Sequence, residues 1–397
     1  MGSNFLNGSI PKGFFDLPNI SKVSLHDNLL SGGFDEIIGD CVNLWQINLS
    51  NNQLSGKLPA NTGTELQTLF LQSNKLNGTI PTNFSKCDSL KYLDLSDNQL
   101  EGVVPKSLSN CRSLKLLNLG NNKLTDKFPS WLDNLQQLQV FSVRFNSFYG
   151  PIISSSKVKR PFPLLQIIDL SNNKFSGKLP RRYIKKFAAM HNMNESTLKS
   201  PEYMDDLYRT FSIVLTFNGL QLKYEKLITT MSIFDMSNNN FVGQIPDTMG
   251  RLQSLRNLNL SHNLFTGNIP PSIGNLSLLN GLDLSSNRLV GHIPQELGLG
   301  EMPTKAGIVE DPFKDEGGAK PQNMLFGQPW WHGLSNNGVS PTSASNDSSA
   351  RSSSGEPVNG SALAGNFSVP LNGIQDAGGN AGNMRLMVRI NVKLKFE

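Results

Sequence analysis

The side chains in this sequence that are best suited to bind a metal or attack a substrate are its histidines and cysteines. No two histidines have the spacing of a metal-ligand pair. The chain also lacks a G-x-S-x-G turn, a kinase glycine-rich loop and a phosphate-binding P-loop. We therefore predict no catalytic residue, no metal site, no cofactor and no enzymatic activity. The scattered histidines are His26, His191, His262, His292 and His332.

The three cysteines, Cys41, Cys87 and Cys111, share one register, since each follows a recurring asparagine at the same interval. One interpretation is a redox or metal site. The shared register favours another, in which each cysteine is a small apolar residue buried on the convex side of a repeat. Three cysteines do not predict a disulfide framework.

A sequence repeat must position all of these residues. The stretch SLKYLDLSDNQLEGVVP at 89–105 returns as SLRNLNLSHNLFTGNIP at 254–270. Each copy carries one asparagine at a fixed position, which we call the ladder asparagine. Successive ladder asparagines are almost evenly spaced, except for one long step between Asn173 and Asn239. They are Asn4, Asn28, Asn52, Asn74, Asn98, Asn122, Asn146, Asn173, Asn239, Asn263 and Asn287.

Each repeat reads as one coil of a solenoid. Leu90, Leu93 and Leu95 precede their ladder asparagine on a strand and point inward. The asparagine amide is expected to satisfy backbone groups of the neighbouring coil. The Gly- and Pro-containing half that follows suits a second short strand or a 3₁₀ turn. Successive strands should therefore pair in parallel as one long curved sheet on the concave side.

The long step and the C-terminal composition divide the chain into four parts. We predict repeats at 1–180, an island insertion at 181–222, further repeats at 223–297 and a disordered low-complexity tail at 298–397. The island begins with a basic, helical pattern and ends with a strand pattern. It is either a binding element or a solvated loop. The last stretch, MRLMVRINVKLKFE, has an amphipathic strand pattern without an obvious partner, and is either a remnant or a real element.

Charge and hydropathy exclude two classes of partner. A net charge of +5 over 397 residues is too weak to predict nucleic-acid binding. No stretch is long and apolar enough to span a membrane, and the first residues do not predict a signal peptide. The N-x-S/T sites nevertheless favour a secreted origin. The candidate glycosylation sites are Asn7, Asn19, Asn48, Asn77, Asn83, Asn194, Asn259 and Asn275.

The consensus L-x-x-L-x-L-S-x-N-x-L-x-G-x-I-P resembles the plant extracellular type of leucine-rich repeat. Residues from about 64 to 297 are similar to the C-terminal ectodomain of plant receptor-like proteins, which carry such an island a few repeats before their end. Residues 4–59 look more like plant receptor kinases. The tail from Met302 is weakly similar to the N-terminal region of the A-type component of plant nuclear factor Y. These partial resemblances suggest a fused or truncated product. The fold class implied is an α/β-type solenoid, a curved leucine-rich-repeat superhelix with a parallel concave sheet.

The resemblance implies a non-catalytic recognition module in plant defence or developmental signalling. Its partners would be a peptide, glycan or protein ligand, with a receptor-kinase co-receptor as a further candidate. It would act outside the cell or at the plasma membrane. Two alternatives stay open. One is a soluble inhibitor of cell-wall hydrolases, similar to polygalacturonase-inhibiting proteins, and the other is a non-functional fused fragment.

Ligand residues are expected at the outward positions of the concave strands, which lie six, four, two and one residues before each ladder asparagine. Side chains that depart from the consensus there are the best candidates, because aromatic residues and arginine contribute most to binding. The concave candidates are Lys22, His26, Asp27, Phe70, Gln72, Tyr92, Asp94, Asp97, Arg144 and Phe145. The partner-binding candidates of the island are Arg181, Arg182, Lys185, Lys186, Tyr203 and Tyr208. In the tail, Trp330 and Trp331 are either a short linear partner motif or an unfolded remnant.

Overall fold

The structure of the chain is a computed structural model. It describes residues 1–17, 19–35, 44–59, 65–82, 87–154, 158–191, 213–217, 220–224, 231–298, 367–368 and 387–389. Several residues singled out from the sequence lie outside the described residues. They are Cys41, Asn83, Asn194, Tyr203, Tyr208, Trp330, Trp331 and His332.

One long parallel sheet takes a strand from every described repeat from Lys22 onward, just before the ladder asparagine. Equivalent repeat positions lie side by side, as Tyr92, Leu116 and Val140 do in three successive strands. This confirms the predicted leucine-rich-repeat solenoid. The repeat strands are Lys22–Ser24, Gln46–Asn48, Thr68–Phe70, Tyr92–Asp94, Leu116–Asn118, Val140–Ser142, Ile167–Asp169, Ile233–Asp235, Asn257–Asn259 and Gly281–Asp283.

The half of each repeat after the ladder asparagine forms a short second strand, and in several repeats a 3₁₀ helix follows, as expected. The second strands form three smaller parallel sheets. These are Asn7–Ser9, Leu29–Gly33 and Gln53–Ser55; Asn77–Thr79, Gln99–Gly102 and Lys123–Leu124; and Tyr149–Pro151, Lys174–Gly177, Asn240–Gly243, Leu264–Gly267 and Arg288–Leu289. The 3₁₀ helices are Phe14–Asp16, Lys106–Asn110, Ser130–Asn134, Asp247–Arg251, Pro271–Asn275 and Gln295–Leu297.

The ladder asparagines join neighbouring coils through their side-chain amides, as predicted. Asn98 is representative. Its Nδ2 donates to the Leu71 carbonyl of the preceding coil at 3.0 Å and to its own coil at Leu95. Its Oδ1 accepts from the Leu76 N–H at 3.0 Å. Because these turn groups are shielded from water, each bond satisfies a backbone group that would otherwise cost free energy.

The core lies between the long sheet and the opposite side of the coils. Leu93 and Leu117 at the strand centres are almost completely buried. In the later repeats the position two residues after the ladder asparagine changes from leucine to phenylalanine. These rings stack between coils with centroid distances of 5.8, 6.3 and 6.2 Å. The stacked rings are Phe148, Phe175, Phe241 and Phe265.

The start of the predicted island belongs to the packed solenoid. The α-helices Arg181–Ile184 and Ala188–His191 contribute Tyr183 and Met190 to the core, and Phe187 between them is also buried. The Ser254 N–H donates to the Met190 carbonyl at 3.0 Å, which ties this segment to a repeat beyond the interruption. The helical pattern at the start of the island therefore corresponds to two short helices.

The end of the island forms an antiparallel hairpin of Ile213–Phe217 and Leu220–Tyr224. The expected strand is present. Its partner strand crosses residue 222, where we predicted the return to repeats, so the hairpin extends beyond that boundary. The long sheet continues across the interruption, because Ile167–Asp169 pairs directly with Ile233–Asp235.

Two of the three cysteines are bonded to each other. Cys87 and Cys111 form a disulfide between adjacent coils, with their Cα atoms 4.8 Å apart. Both are buried as expected, but the prediction that these two would act only as small apolar residues was wrong. Because their register is shared and their repeats are adjacent, the coil geometry brings the two sulfurs to the same side of the stack.

Two short strands lie within the segment predicted to be a disordered tail. Met387–Arg389 pairs with the strand of the last repeat, and Phe367–Ser368 pairs with Met387–Arg389. The strand pattern noted at the C-terminus therefore has a partner. Among the described residues, no helix has both the length and the apolar character needed to cross a membrane.

Candidate ligand-binding face

The outward positions of the long sheet form a surface that we call the strand face. Side chains alternate between the two sides of a β-strand. In the strand Leu116–Asn118, Leu117 belongs to the core cluster, so Leu116 and Asn118 point to the strand face. The same alternation holds in the neighbouring strands, whose registers match position for position.

Five adjacent strands carry an apolar residue six positions before the ladder asparagine, and we call these residues the apolar row. All five are buried but lie outside the core cluster. The same position is polar or glycine on both sides of the row, at Thr68 before it and at Asn257 and Gly281 after it. The row consists of Tyr92, Leu116, Val140, Ile167 and Ile233.

Only Tyr92 of this row was among the candidates chosen from the sequence. Those candidates were single departures from the consensus, read mainly at the position four residues before the ladder asparagine. Reading the position six residues before each asparagine would have revealed a run of apolar residues. Such a run predicts an apolar strip, because equivalent positions stack across parallel strands.

A regular polar column runs beside the apolar row. In most repeats, an Asp or Asn four residues before the ladder asparagine accepts hydrogen bonds from a Ser two residues later. Asp94 Oδ1, for example, accepts from the Ser96 N–H at 2.9 Å and from Ser96 Oγ at 2.6 Å. Asp94 Oδ2 accepts from Asn118 Nδ2 at 3.0 Å. Asp94 is fully buried, so these hydrogen bonds give it a structural role, and its contact with a ligand stays a prediction.

The polar column is interrupted at several strands, and one of these interruptions lies near the middle of the sheet. There the Asp–Ser pair is replaced by Ser142 and Arg144, which are 1% and 5% exposed. Ser142 Oγ and Arg144 Nη1 have no hydrogen-bond partner among the described residues. The guanidinium of Arg144 lies 5.6 Å from the Phe145 ring centroid. A buried arginine with an unused donor marks this strand as one whose polar groups are not fully satisfied within the fold.

Asp169 and Asp235 continue the column beside Arg144, at the same register on adjacent strands. Burial raises the pKa of Asp235 to about 8, and the Asp169 carboxylate contributes to that increase. Burial also raises the pKa of Asp169, against the opposing effects of Ser171 and Arg144. Asp169 Oδ2 has no hydrogen-bond partner. Two buried carboxyls on adjacent strands favour a state in which they carry one proton between them.

The position directly before each ladder asparagine forms the rim of the strand face. Its backbone is left-handed in every described repeat, with φ near +50°. Polar side chains tolerate this conformation best, and they join neighbouring coils here. Asn51 Nδ2 donates to Asp27 and Asn121 Nδ2 donates to Asp97, both at 2.6 Å. These bonds give Asp27 and Asp97 a structural role in addition to the predicted ligand contact.

Phe145 is the exception on the rim. It is 36% exposed and has a φ of +49°, a conformation that is unfavourable for a bulky side chain. It follows Arg144, so the predicted cluster of these two residues is present as a contact. Backbone strain kept at an exposed aromatic residue is typical of functional sites.

The other predicted concave residues are placed as follows. Lys22 Nζ lies 5.7 Å from the Trp45 ring centroid, and His26 Nδ1 lies 2.8 Å from Asp27 Oδ2. Lys22, His26 and Asp27 thus occupy the first described repeats, away from Arg144. Phe70 stands beside Asp94 in the adjacent strand, so the second predicted cluster is brought together. Its members Phe70, Gln72 and Tyr92 are at most 6% exposed, which differs from the expected projecting side chains.

The basic residues of the island are exposed, as expected. Arg181 and Arg182 precede the buried Tyr183 and Ile184 on the first short helix, and Lys185 and Lys186 follow them. Arg182 Nη2 also donates to the Val158 carbonyl at 3.5 Å. The four residues form a positive surface near the interruption of the repeat array.

The candidate glycosylation sites fall into two groups. Asn7, Asn19, Asn77 and Asn275 are exposed. Asn48 and Asn259 are buried in the long sheet, where their Oδ1 atoms accept from Ser50 and Ser261. For these two residues, the sequon predicts a glycan at a side chain that is buried in the folded chain. Within the described ranges, no three His, Cys, Asp or Glu residues are grouped so that they could hold a metal ion.

Comparisons with known proteins agree with this architecture. Sequence models of the leucine-rich repeat match residues 64–124 and 43–64, 164–182, 230–252, 254–276 and 278–299. Receptor-like protein 18 of Arabidopsis thaliana is 39% identical over 260 residues, which are 64% of this chain and 30% of that protein. The chain therefore spans about a third of the length of this relative.

Two solved structures are similar in fold. The plant peptide hormone receptor RGFR1 in complex with RGF2 has a TM-score of 0.58 at 31% identity, covering 74% of this chain and 40% of that one. The Arabidopsis receptor kinase HAESA in complex with the peptide hormone IDA and the co-receptor SERK1 has a TM-score of 0.58 at 28% identity. That match covers 75% of this chain and 43% of the other.

Proposed function

We propose that this chain, which contains leucine-rich repeats and is similar to plant receptor-like proteins, is a non-catalytic recognition module that binds a linear peptide or a peptide segment of a protein. The strand face is its binding surface. Arg144, Phe145, Asp169 and Asp235 together with the apolar row form the centre of that surface.

The apolar row is the observation that carries this proposal. Parallel strands lie about 4.8 Å apart, so five residues in register form a strip of about 19 Å. That length matches about six residues of an extended chain. An extended peptide lying across the strands would place apolar side chains on the row and polar groups near Arg144 and the two carboxyls.

Binding at this strip requires that it become accessible. The residues of the row are at most 6% exposed, so a ligand must displace whatever shields them from water. The gain on binding would come from replacing that shield with a better-fitting apolar partner. Phe145, on the exposed rim, is the first residue of the site that an incoming ligand can reach.

We also propose that the module acts outside the cell or at the plasma membrane. The Cys87–Cys111 disulfide supports an oxidising compartment. The exposed sequons Asn7, Asn77 and Asn275 are compatible with secretion. The two solved relatives are complexes with RGF2 and with the peptide hormone IDA, which supports the same ligand class for this chain.

A co-receptor is a further proposed partner, as one of the solved relatives was captured with one. The exposed basic side chains Arg181, Lys185 and Lys186 are the proposed contact. Reversing their charge should weaken co-receptor binding while peptide binding at the strand face is retained. Co-receptor binding and peptide binding can be measured separately, because the three residues lie on and directly after a helix outside the long sheet.

The test of peptide recognition uses the full chain and a randomised library of short linear peptides. Selected peptides should bind the native chain. Their binding should fall at least tenfold for the combined variant Leu116→Thr, Val140→Thr and Ile167→Thr. Threonine already occupies this position at Thr68, so the strands should tolerate it.

Gln46→Thr is the matched control. It introduces the same residue at the same repeat position, but outside the apolar row. It should leave affinity unchanged within about twofold, because it removes no apolar side chain from the row and most interface residues outside a hot spot contribute little to binding. If peptides bind the triple variant as well as the native chain, the strand face is not the binding surface.

A further inference from the structure

The long sheet continues beyond the last repeat. Met387–Arg389 pairs in parallel with Gly281–Asp283, placing Met387 beside Gly281 and Val388 beside Leu282. Phe367–Ser368 then pairs antiparallel with Met387–Arg389 on its other edge. Two strands from far along the chain therefore lie where another repeat would follow.

The edge of a parallel sheet has a strong requirement for such a partner. An unpaired strand exposes a row of N–H and C=O groups that can pair with any available chain. Successive backbone N–H groups of a strand point to opposite edges. The Gly281 N–H donates to the Arg256 carbonyl of the preceding repeat at 3.0 Å, so the next amide, that of Leu282, points to the opposite edge.

The C-terminal segment has the sequence of a strand that could fill this edge. Residues 384–397, MRLMVRINVKLKFE, alternate apolar and polar side chains and contain no proline or glycine. The register also sets Arg389 beside Asp283, so residues of opposite charge occupy one register position on neighbouring strands. Opposite charges at paired positions favour pairing, and like charges oppose it.

We propose that the edge at Gly281–Asp283 is a strand-acceptor site and that the C-terminal segment around Met387–Arg389 is its occupant. The segment closes the sheet as a cap does at the end of a repeat array. Occupation within one chain would prevent a strand of a second chain from adding to the same edge. This inference is independent of peptide binding at the strand face, which concerns side chains rather than the sheet edge.

The experiment compares amide hydrogen exchange in full-length chains. Val388→Pro fixes φ at the centre of the paired segment and removes the N–H that the same alternation directs at Phe367–Ser368, so it disturbs the pairing on both edges of the segment. Exchange at Leu282 should become at least tenfold faster. The Gly281 amide, bonded to the preceding repeat, should stay protected and serves as an internal reference. Val392→Pro is the matched control, because it makes the same change in the same alternating sequence, three residues after the strand Met387–Arg389.

A synthetic peptide of residues 384–397 gives a second readout. It should bind the Val388→Pro chain and restore slow exchange at Leu282, whereas the native chain and the Val392→Pro chain should not bind it. The proposal is overturned if Leu282 exchanges at the same rate in all three chains, or if the native chain binds the peptide as tightly as the Val388→Pro chain.

Discussion

Asp169 and Asp235 lie on opposite sides of the island in the sequence, yet they stand side by side at one register of two adjacent parallel strands. The long sheet keeps the same strand register on both sides of the island. The two carboxyls therefore stand one coil apart in the middle of the strand face, as in an uninterrupted repeat, and Asp169 also interacts with Arg144. The interruption of the repeats and the break in the polar column fall at neighbouring strands.

The paired carboxyls predict a stability that depends on pH. The pKa of Asp235 is raised from 3.8 to about 8 by burial and by Asp169. An acid with a higher pKa in the folded chain binds more protons when folded. This contribution to the free energy of unfolding should therefore be fully present below the ordinary pKa of aspartate and should be lost as the pH rises toward 8. Denaturant unfolding of the full chain at pH 5 and pH 8 measures this difference.

Asp235→Asn should remove most of that dependence and raise the free energy of unfolding at pH 8 by more than about 1 kcal/mol. The introduced amide can donate to Asp169 Oδ2, as Asn118 donates to Asp94. If the variant and the native chain lose stability in parallel between the two pH values, the shared-proton interpretation is incorrect.

Phe145→Asn should make the chain more stable and less able to bind. Asparagine adopts the left-handed conformation at this rim position at a lower cost, so a gain of about 1 kcal/mol is expected. The loss of the exposed ring should weaken the selected peptides several-fold. Asn121→Phe, at the same repeat position, is the converse control and should destabilise by a similar amount. A destabilised Phe145→Asn chain would contradict the strain argument.

The disulfide predicts that Cys87 and Cys111 are protected from thiol reagents until the chain is reduced. Alkylation in denaturant followed by peptide mass spectrometry should leave both residues unlabelled without reductant and label both after reduction. Closing a loop of this length stabilises by about 3 kcal/mol. Reductant should therefore lower the denaturation midpoint of the native chain but not of the Cys87→Ala, Cys111→Ala double variant. Labelling of both residues before reduction would exclude the bond.

Glycan occupancy should follow exposure. After expression through a secretory pathway, mass spectrometry should find glycans at Asn77 and Asn275. Asn48 and Asn259 should be unmodified, since they are buried and hydrogen-bonded in the long sheet. A glycan at Asn48 in the folded chain would contradict the assignment of that residue to the long sheet.

The sequence predicted the structural features that follow from the repeat pattern. The ladder asparagines fix the register, and the register fixes the strands, the inward leucines and the coil-to-coil hydrogen bonds of residues such as Asn98. It did not predict contacts between coils that depend on a particular pair of side chains. The Cys87–Cys111 bond needs two adjacent coils to be considered together.

The candidate site was predicted only in part for the same reason. Arg144 and Phe145 were found because each departs from the consensus of its own repeat. Leu116 and Val140 are ordinary residues within one repeat and become notable only as members of a row across strands. The structural role of Asp94 was not predicted, because its hydrogen bonds to Ser96 and Asn118 follow from side-chain geometry rather than from residue type.

The most direct test of the central claim is photo-crosslinking of a selected peptide to the full chain, followed by identification of the attached residues. With the reactive group placed on an apolar side chain of the peptide, the crosslinks should map to the strands Leu116–Asn118, Val140–Ser142 and Ile167–Asp169 and to Phe145. Crosslinks confined to the second strands, such as Tyr149–Pro151 and Asn240–Gly243, would contradict recognition by the strand face.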